Sequence, residues 1–164
     1  MIQADAEAAY RSLRDQLRQA LANRPAVHLV GIHSGGVWIA ERLQRDLSLS
    51  RPLGTLSSAF HRDDYDRRGL PAALKSSTLP FEVAGADIVL VDDILFTGRT
   101  VRASLNEIFD YGRPSRVTLA VLVDRGGREL PVAADHAGLI LPLDPARSFA
   151  LERDAAGLFV LRIE

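Results

Sequence analysis

Apolar residues along this chain fall into two patterns. Short unbroken runs occur at VHLVGI (27–32), ADIVLVDD (86–93), RVTLAVLVD (116–124) and AGLILPL (137–143). Runs of this length, rich in Val, Ile and Leu, read as strands buried on both faces. Between them lie stretches with helical character: residues 3–22, rich in Ala, Leu, Arg and Gln; VWIAERLQRDL (37–47); and RTVRASLNEIFDYG (99–112), closed by Gly112 and Pro114. Asn23-Arg24-Pro25 ends the first of these, because proline disfavours helical geometry in the residue before it. Ser34-Gly35-Gly36 reads as a tight turn, and PLGTLSSAF (52–60) as a further strand. SFALER (148–153) and LFVLRI (158–163), joined across a turn at 154–157, read as a terminal hairpin. Trp38 and Phe109 take core-facing positions on their helices, and His28 is a strand residue with a local hydrogen bond. Residues 61–80 hold seven charged side chains, a glycine and two prolines with no sustained apolar period, and so read as a long mobile loop.

Strands alternating with helices predict an α/β fold, a parallel sheet with helices on both faces and right-handed crossovers. Ligands of such sheets bind beyond the carboxyl ends of the strands. That places the candidate site at residues 33–36, 92–100 and 124–128. The chain of 164 residues shows no repeat or low-complexity linker, so residues 1–164 read as a single domain.

Composition removes several alternatives. With no cysteine, disulfides and thiolate metal sites are excluded, which suits a reducing cytoplasm. No apolar run reaches the roughly 18–20 residues of a membrane span, and the first residues lack the apolar stretch of a signal peptide. A formal net charge of −1 gives no general attraction to nucleic acid. No His, Asp and Glu cluster is spaced to hold a metal by itself.

The chemistry concentrates in Val89-Leu90-Val91-Asp92-Asp93-Ile94-Leu95-Phe96-Thr97-Gly98-Arg99-Thr100. A buried strand, two carboxylates, a glycine-containing loop and a helix start follow one another. Free backbone N–H groups and the dipole at a helix N-terminus favour an anion. Thr97 and Thr100 add hydroxyls, and Gly98 lets the backbone approach a phosphate. Two acids beside a phosphate site would repel it unless sugar hydroxyls or hydrated Mg²⁺ also bind there. A P-loop and a dinucleotide site are both excluded, since neither glycine pattern occurs.

VLVDDILFTGRT resembles the 5-phosphoribosyl-1-pyrophosphate (PRPP) loop of type I phosphoribosyltransferases. The continuation GRPSRVTLAVLVDRGGRELPVAADHAG (112–138) is similar to the pyrimidine-operon regulators with uracil phosphoribosyltransferase activity, the PyrR family. Phe60-His61-Arg62-Asp63-Asp64 resembles that family's flexible loop. The resemblance implies the type I fold, a parallel sheet flanked by helices with a small hood and a C-terminal β-hairpin. It implies that Asp92 and Asp93 are catalytic and bind the ribose hydroxyls, with Mg²⁺ arriving on PRPP. Phe96, Thr97, Gly98, Arg99 and Thr100 would hold the 5-phosphate, and His33, Ser34, Gly35 and Gly36 the pyrophosphate. Asp124, Arg125, Gly126 and Arg128 would form the hood on the base side, with Arg125 the foremost contact. His61, Arg62, Asp63 and Asp64 would act as a lid that excludes water. Purine enzymes usually carry an acid two residues before the loop glycine; Phe96 stands there, so uracil is the implied base and UMP the product. The family habit further implies a homo-oligomer.

The resemblance departs at two places. The family usually has a basic residue just before the last glycine of the pyrophosphate loop, where this chain has Gly35, which implies a slower transfer. RNA-binding members carry basic residues at the positions of Ala133 and Leu139 and in the first loop. None is basic here although Arg128 is retained, which implies weak or absent leader-RNA binding. Three readings stay open: a uracil phosphoribosyltransferase, a PRPP- or UMP-sensing regulator of weak catalysis, and a phosphoribosyltransferase for another base.

Overall fold

The structure, a computed structural model, describes residues 4–57 and 76–164. Among the described residues the elements follow in the order α1 (Ala6–Ala20), β1 (His28–Ile32), α2 (Gly35–Asp46), β2 (Gly54–Leu56), β3 (Asp87–Leu95), α3 (Arg99–Tyr111), β4 (Arg116–Asp124), β5 (His136–Ile140), β6 (Phe149–Arg153) and β7 (Phe159–Ile163). β1 to β5 form one parallel sheet in the order β2-β1-β3-β4-β5, and β6 and β7 pair as an antiparallel hairpin. The predicted lid residues His61, Arg62, Asp63 and Asp64 lie outside the described residues. At the far end of that predicted loop, Thr78 is no free loop residue, since it bridges back to Thr55 of β2.

Alternation along β3 divides the core in two. Val89 and Val91 pack with α1 and α2, while Ile88 and Leu90 pack with Val101 and Ile108 of α3 on the opposite face. Because β3 is buried on both sides, its apolar run is continuous rather than alternating. β3 and β4 run side by side from Asp87 opposite Arg116 to Leu95 opposite Asp124. That register brings the ends of the two longest strands to one rim of the sheet, with both loops of the candidate site above it.

Three local expectations need correction. α2 starts at Gly35, two residues before the expected position, so Gly35 and Gly36 belong to its first turn. β3 continues through Leu95, so the acid pair sits inside the strand rather than at its tip. Phe109 is 53% exposed, because α3 buries Val101, Ser104 and Ile108 and so turns residue 109 outward. Trp38 does pack against the core, with the Arg153 guanidinium over its ring. His28 hydrogen bonds through Nδ1 with the carbonyl of Pro52 and stacks on Phe81.

Ion pairs fasten the helices to the rest. Arg42 of α2 donates to both carboxylate oxygens of Glu7 in α1, at 2.7 and 2.9 Å, and the Phe159 amide of β7 donates to the same carboxylate at 2.8 Å. Arg42 also lies over the Tyr10 ring, whose hydroxyl donates to Asp46 at 2.6 Å. Arg24, after α1, donates to Asp87 at the start of β3 at 2.9 Å and to the Thr118 hydroxyl of β4 at 3.1 Å. The Arg42 bonds hold the Glu7 carboxyl below its ordinary value, and the Arg24 bonds do the same to Asp87. A carboxylate with a depressed folded pKa adds stability above its unfolded pKa and loses it as pH falls through the folded one. The melting temperature should therefore stay level down to about pH 5 and drop below about pH 4, as both pairs are protonated apart. Thermal melts of Glu7→Gln/Asp87→Asn should start lower at pH 7 and fall less on acidification. Parallel curves for the variant and the unaltered chain would show that these pairs do not set the acid limit.

Candidate functional site

The site is assembled from the rim of the sheet. Asp92 and Asp93 are 6% and 9% exposed, near the end of β3. Alternation puts Asp93 on the face of Val89 and Val91, beside α2, and Asp92 on the face of Ile88 and Leu90. Each carboxylate is held by a neighbouring amide: Asp93 N donates to Asp92 Oδ1 at 2.9 Å, and Ile94 N to Asp93 Oδ1 at 2.8 Å. These short-range bonds fix the two acids at the rim of the sheet.

The first turn of α2 abuts this pair. A Cβ on Gly35 would lie 2.3 Å from Asp93 Oδ2, and one on Gly36 would lie 2.4 Å from the Val91 carbonyl. The absence of side chains there is what lets the α2 N-terminus reach the acid strand. The position where relatives were expected to carry a basic residue is thus filled by the Asp93 carboxyl. His33 leads into the turn, its amide donating to the Leu56 carbonyl of β2 at 2.9 Å, and the His33–Ser34 peptide is cis. Ser34 sits at the N-cap of α2 without a capping side-chain bond.

On the other side of β3, the chain turns at Phe96-Thr97-Gly98 into α3. Gly98 is the N-cap with φ of 95°, a left-handed conformation that side chains rarely adopt. Thr97 is buried, and its Oγ1 accepts from the Arg99 amide at 3.2 Å. The α3 N-terminus has no side-chain cap, and a helix N-terminus of this kind favours an anion.

The loop after β4 lies alongside. The Arg125 guanidinium, on a residue 4% exposed, covers the Phe96 ring at 3.8 Å and donates to the Asp144 carbonyl at 3.1 Å. Asp124 Oδ1 accepts from the Gly126 amide at 3.0 Å, and both Asp124 oxygens accept from Arg128, at 2.7 and 2.8 Å. Arg128 also donates to the Phe96 carbonyl. Arg99 pairs with Glu129 at 2.9 Å, both side chains being more than half exposed. The structure therefore brings together all three predicted segments among the described residues. Sequence reasoning missed Asp144 and the particular bonds made by Glu129 and Leu130. Their contacts are long-range or made by backbone atoms, and neither leaves a local pattern.

Among the described residues, no group of three or more His, Asp or Glu could hold a metal ion. The donor set fits a metal that arrives on a substrate: two carboxylates at the rim, next to an anion site. Among the described residues no helix is long and apolar enough to cross a membrane.

Two buried acids near the end of a central parallel strand thus lie between the N-termini of α2 and α3. The phosphoribosyl transferase domain profile matches residues 2–143, which makes the class a phosphoribosyltransferase. Among solved structures, a hypoxanthine-guanine phosphoribosyltransferase from Bacillus anthracis superposes with a TM-score of 0.67 at 16% identity, covering 87% of each chain. The hypoxanthine phosphoribosyltransferase of Trypanosoma cruzi gives 0.62 at 15% identity over 95% of this chain and 90% of that one. Identities this low speak for the fold alone. A protein of Ralstonia nicotianae named Bifunctional protein PyrR is 53% identical over 94% of this chain and 90% of its own length. One of the same name from Nitrosococcus oceani is 55% identical over 85% and 81%. The chain belongs to the PyrR family of type I phosphoribosyltransferases.

Proposed function

We propose that the chain transfers the phosphoribosyl group of PRPP to uracil, giving UMP and pyrophosphate. The observation that carries this is the β3–α3 segment, a buried acid pair followed by a left-handed glycine and a helix N-terminus. In this reading the α3 N-terminus and the Thr97-Gly98 turn take the 5-phosphate, and Asp92 and Asp93 accept from the ribose hydroxyls. Magnesium enters as part of the substrate, neutralising the pyrophosphate that the α2 N-terminus and His33 face. The C1–O bond to pyrophosphate breaks as the C1–N1 bond to uracil forms, and the N1 proton leaves to solvent or pyrophosphate. The carboxylates stabilise the positive charge that develops on the ribose, in a site where little reorganisation is needed. Arg125 and the loop after β4 border the base. Phe96, stacked under Arg125, offers no carboxylate to a purine, which supports uracil. The work takes place in the cytoplasm, where chains without cysteine are at no disadvantage.

Incubation with uracil, PRPP and Mg²⁺ should yield UMP, and omission of any one should abolish it. Hypoxanthine and guanine should give no nucleotide. Failure of all bases, with PRPP or UMP still raising the melting temperature, would instead establish the second reading, a ligand-sensing regulator. Gly35 is the observation that favours it, since no basic side chain stands at that point of the pyrophosphate loop. Leader-RNA recognition is not supported by this surface. Ala133 and Leu139 are uncharged, and Arg128 is taken up by Asp124.

A further inference from the structure

Sequence grouping puts Arg128 with the base side of the site. Its bonds point toward the phosphate side. The guanidinium spans Asp124, which ends β4, and the carbonyl of Phe96, which opens the turn into α3. The next carbonyl of the turn, that of Thr97, accepts from the Glu129 and Leu130 amides at 2.9 and 3.0 Å. Gly98 rests against Leu130 and Val132. Two successive carbonyls of the turn are thus drawn to residues 128–130.

Peptide planarity then dictates the other face of the turn. In a trans peptide the N–H points opposite to the C=O of the same unit. Both units, Phe96–Thr97 and Thr97–Gly98, are trans. With their carbonyls turned toward residues 128–130, the amides of Thr97 and Gly98 point away from that segment. Two such N–H groups in succession, ahead of a helix N-terminus, make an anion cradle. Asp124 lies opposite Leu95 in the β3–β4 register, so the brace is anchored to the sheet itself. The Arg128 side chain is only 23% exposed, which leaves its donors little reach toward other partners.

We propose that Arg128 is a positioning residue for the 5-phosphate loop, holding the Phe96–Gly98 peptides so that their amides face the phosphate. Asp124 aims it. This rests on the assignment of that turn to the PRPP 5-phosphate. A lysine cannot reproduce the fork that reaches a carboxylate and a carbonyl together.

The test separates phosphate from base. PRPP binding would be measured by calorimetry, and the KM for uracil at saturating PRPP, for the unaltered chain, Arg128→Met, Arg128→Lys and Asp124→Asn. Arg128→Met should weaken PRPP and UMP binding by about 10-fold or more, the scale of one lost charge-assisted contact. Arg128→Lys should fall between, Asp124→Asn should weaken both ligands in the same sense, and the KM for uracil should stay within about twofold in all. A raised KM for uracil with PRPP affinity unchanged would overturn the inference and return Arg128 to the base side. So would unchanged affinity for every ligand. Failure of the unaltered chain itself to bind PRPP or UMP would overturn the proposed function, and the inference with it.

Discussion

Replacing both acids, Asp92→Asn/Asp93→Asn, should lower kcat/KM for UMP formation by on the order of 10³-fold while leaving the protein as stable as before or more so. Asn keeps the oxygen that accepts from the Asp93 or Ile94 amide, so the local bonds at 2.9 and 2.8 Å survive. It removes the negative charge that, in the proposed transfer, stabilises the developing ribosyl cation. Loss of activity with an unchanged or raised melting temperature would mark the acids as catalytic rather than structural. Activity within threefold of the unaltered chain would remove them from the mechanism.

The second large effect is expected from a single methyl group. Gly35→Ala places a Cβ where Asp93 stands, with the acid's Oδ2, Cγ and Cβ all within 2.9 Å. Either the carboxylate swings away or α2 withdraws from the strand. Both move a reacting group by roughly an ångström, a displacement that costs about 10²-fold in rate. The fold has other anchors, so the melting temperature should fall by only a few degrees, in keeping with one local clash. Gly35→Arg, which puts a cation at that position, should be worse than Gly35→Ala rather than better. Steady-state assays of the two variants decide the matter. Full activity of either would show that Asp93 can vacate this space without consequence.

That contact also shows where the sequence stops being legible. The strand–acid–loop–helix segment from 86 to 112 could be read because every part of its signal is local: an apolar run, paired carboxylates, a glycine and helical spacing. The sheet and its hairpin followed from the same periodicities. Gly35 and Gly36 were read as a turn, since glycine commonly marks one. Here they serve close packing, which only the three-dimensional approach of α2 to β3 reveals. Phe109 misled for a related reason. It adjoins Ile108, and the core-facing place at 104 is taken by a serine, whose hydroxyl donates to the Thr100 carbonyl at 2.9 Å. The individual ties between residues 96–99 and 124–130 were out of reach, because they join side chains, carbonyls and amides some 30 positions apart.

The Glu7 clasp has a consequence for how the chain comes into being. Its carboxylate takes one partner from α2 and another from the Phe159 amide, 152 positions further on. A nascent chain leaving the ribosome makes α1 early and then must carry it, half-clasped, through the synthesis of the entire sheet. Contacts this distant in sequence are slow to close and leave apolar surface exposed meanwhile. The hairpin is in this sense the fastening of a cover whose first edge was laid down at the start. Chains stalled before residue 159 should therefore expose Tyr10 and its neighbours to chaperones and proteases, although every residue of the phosphate loop has already been made.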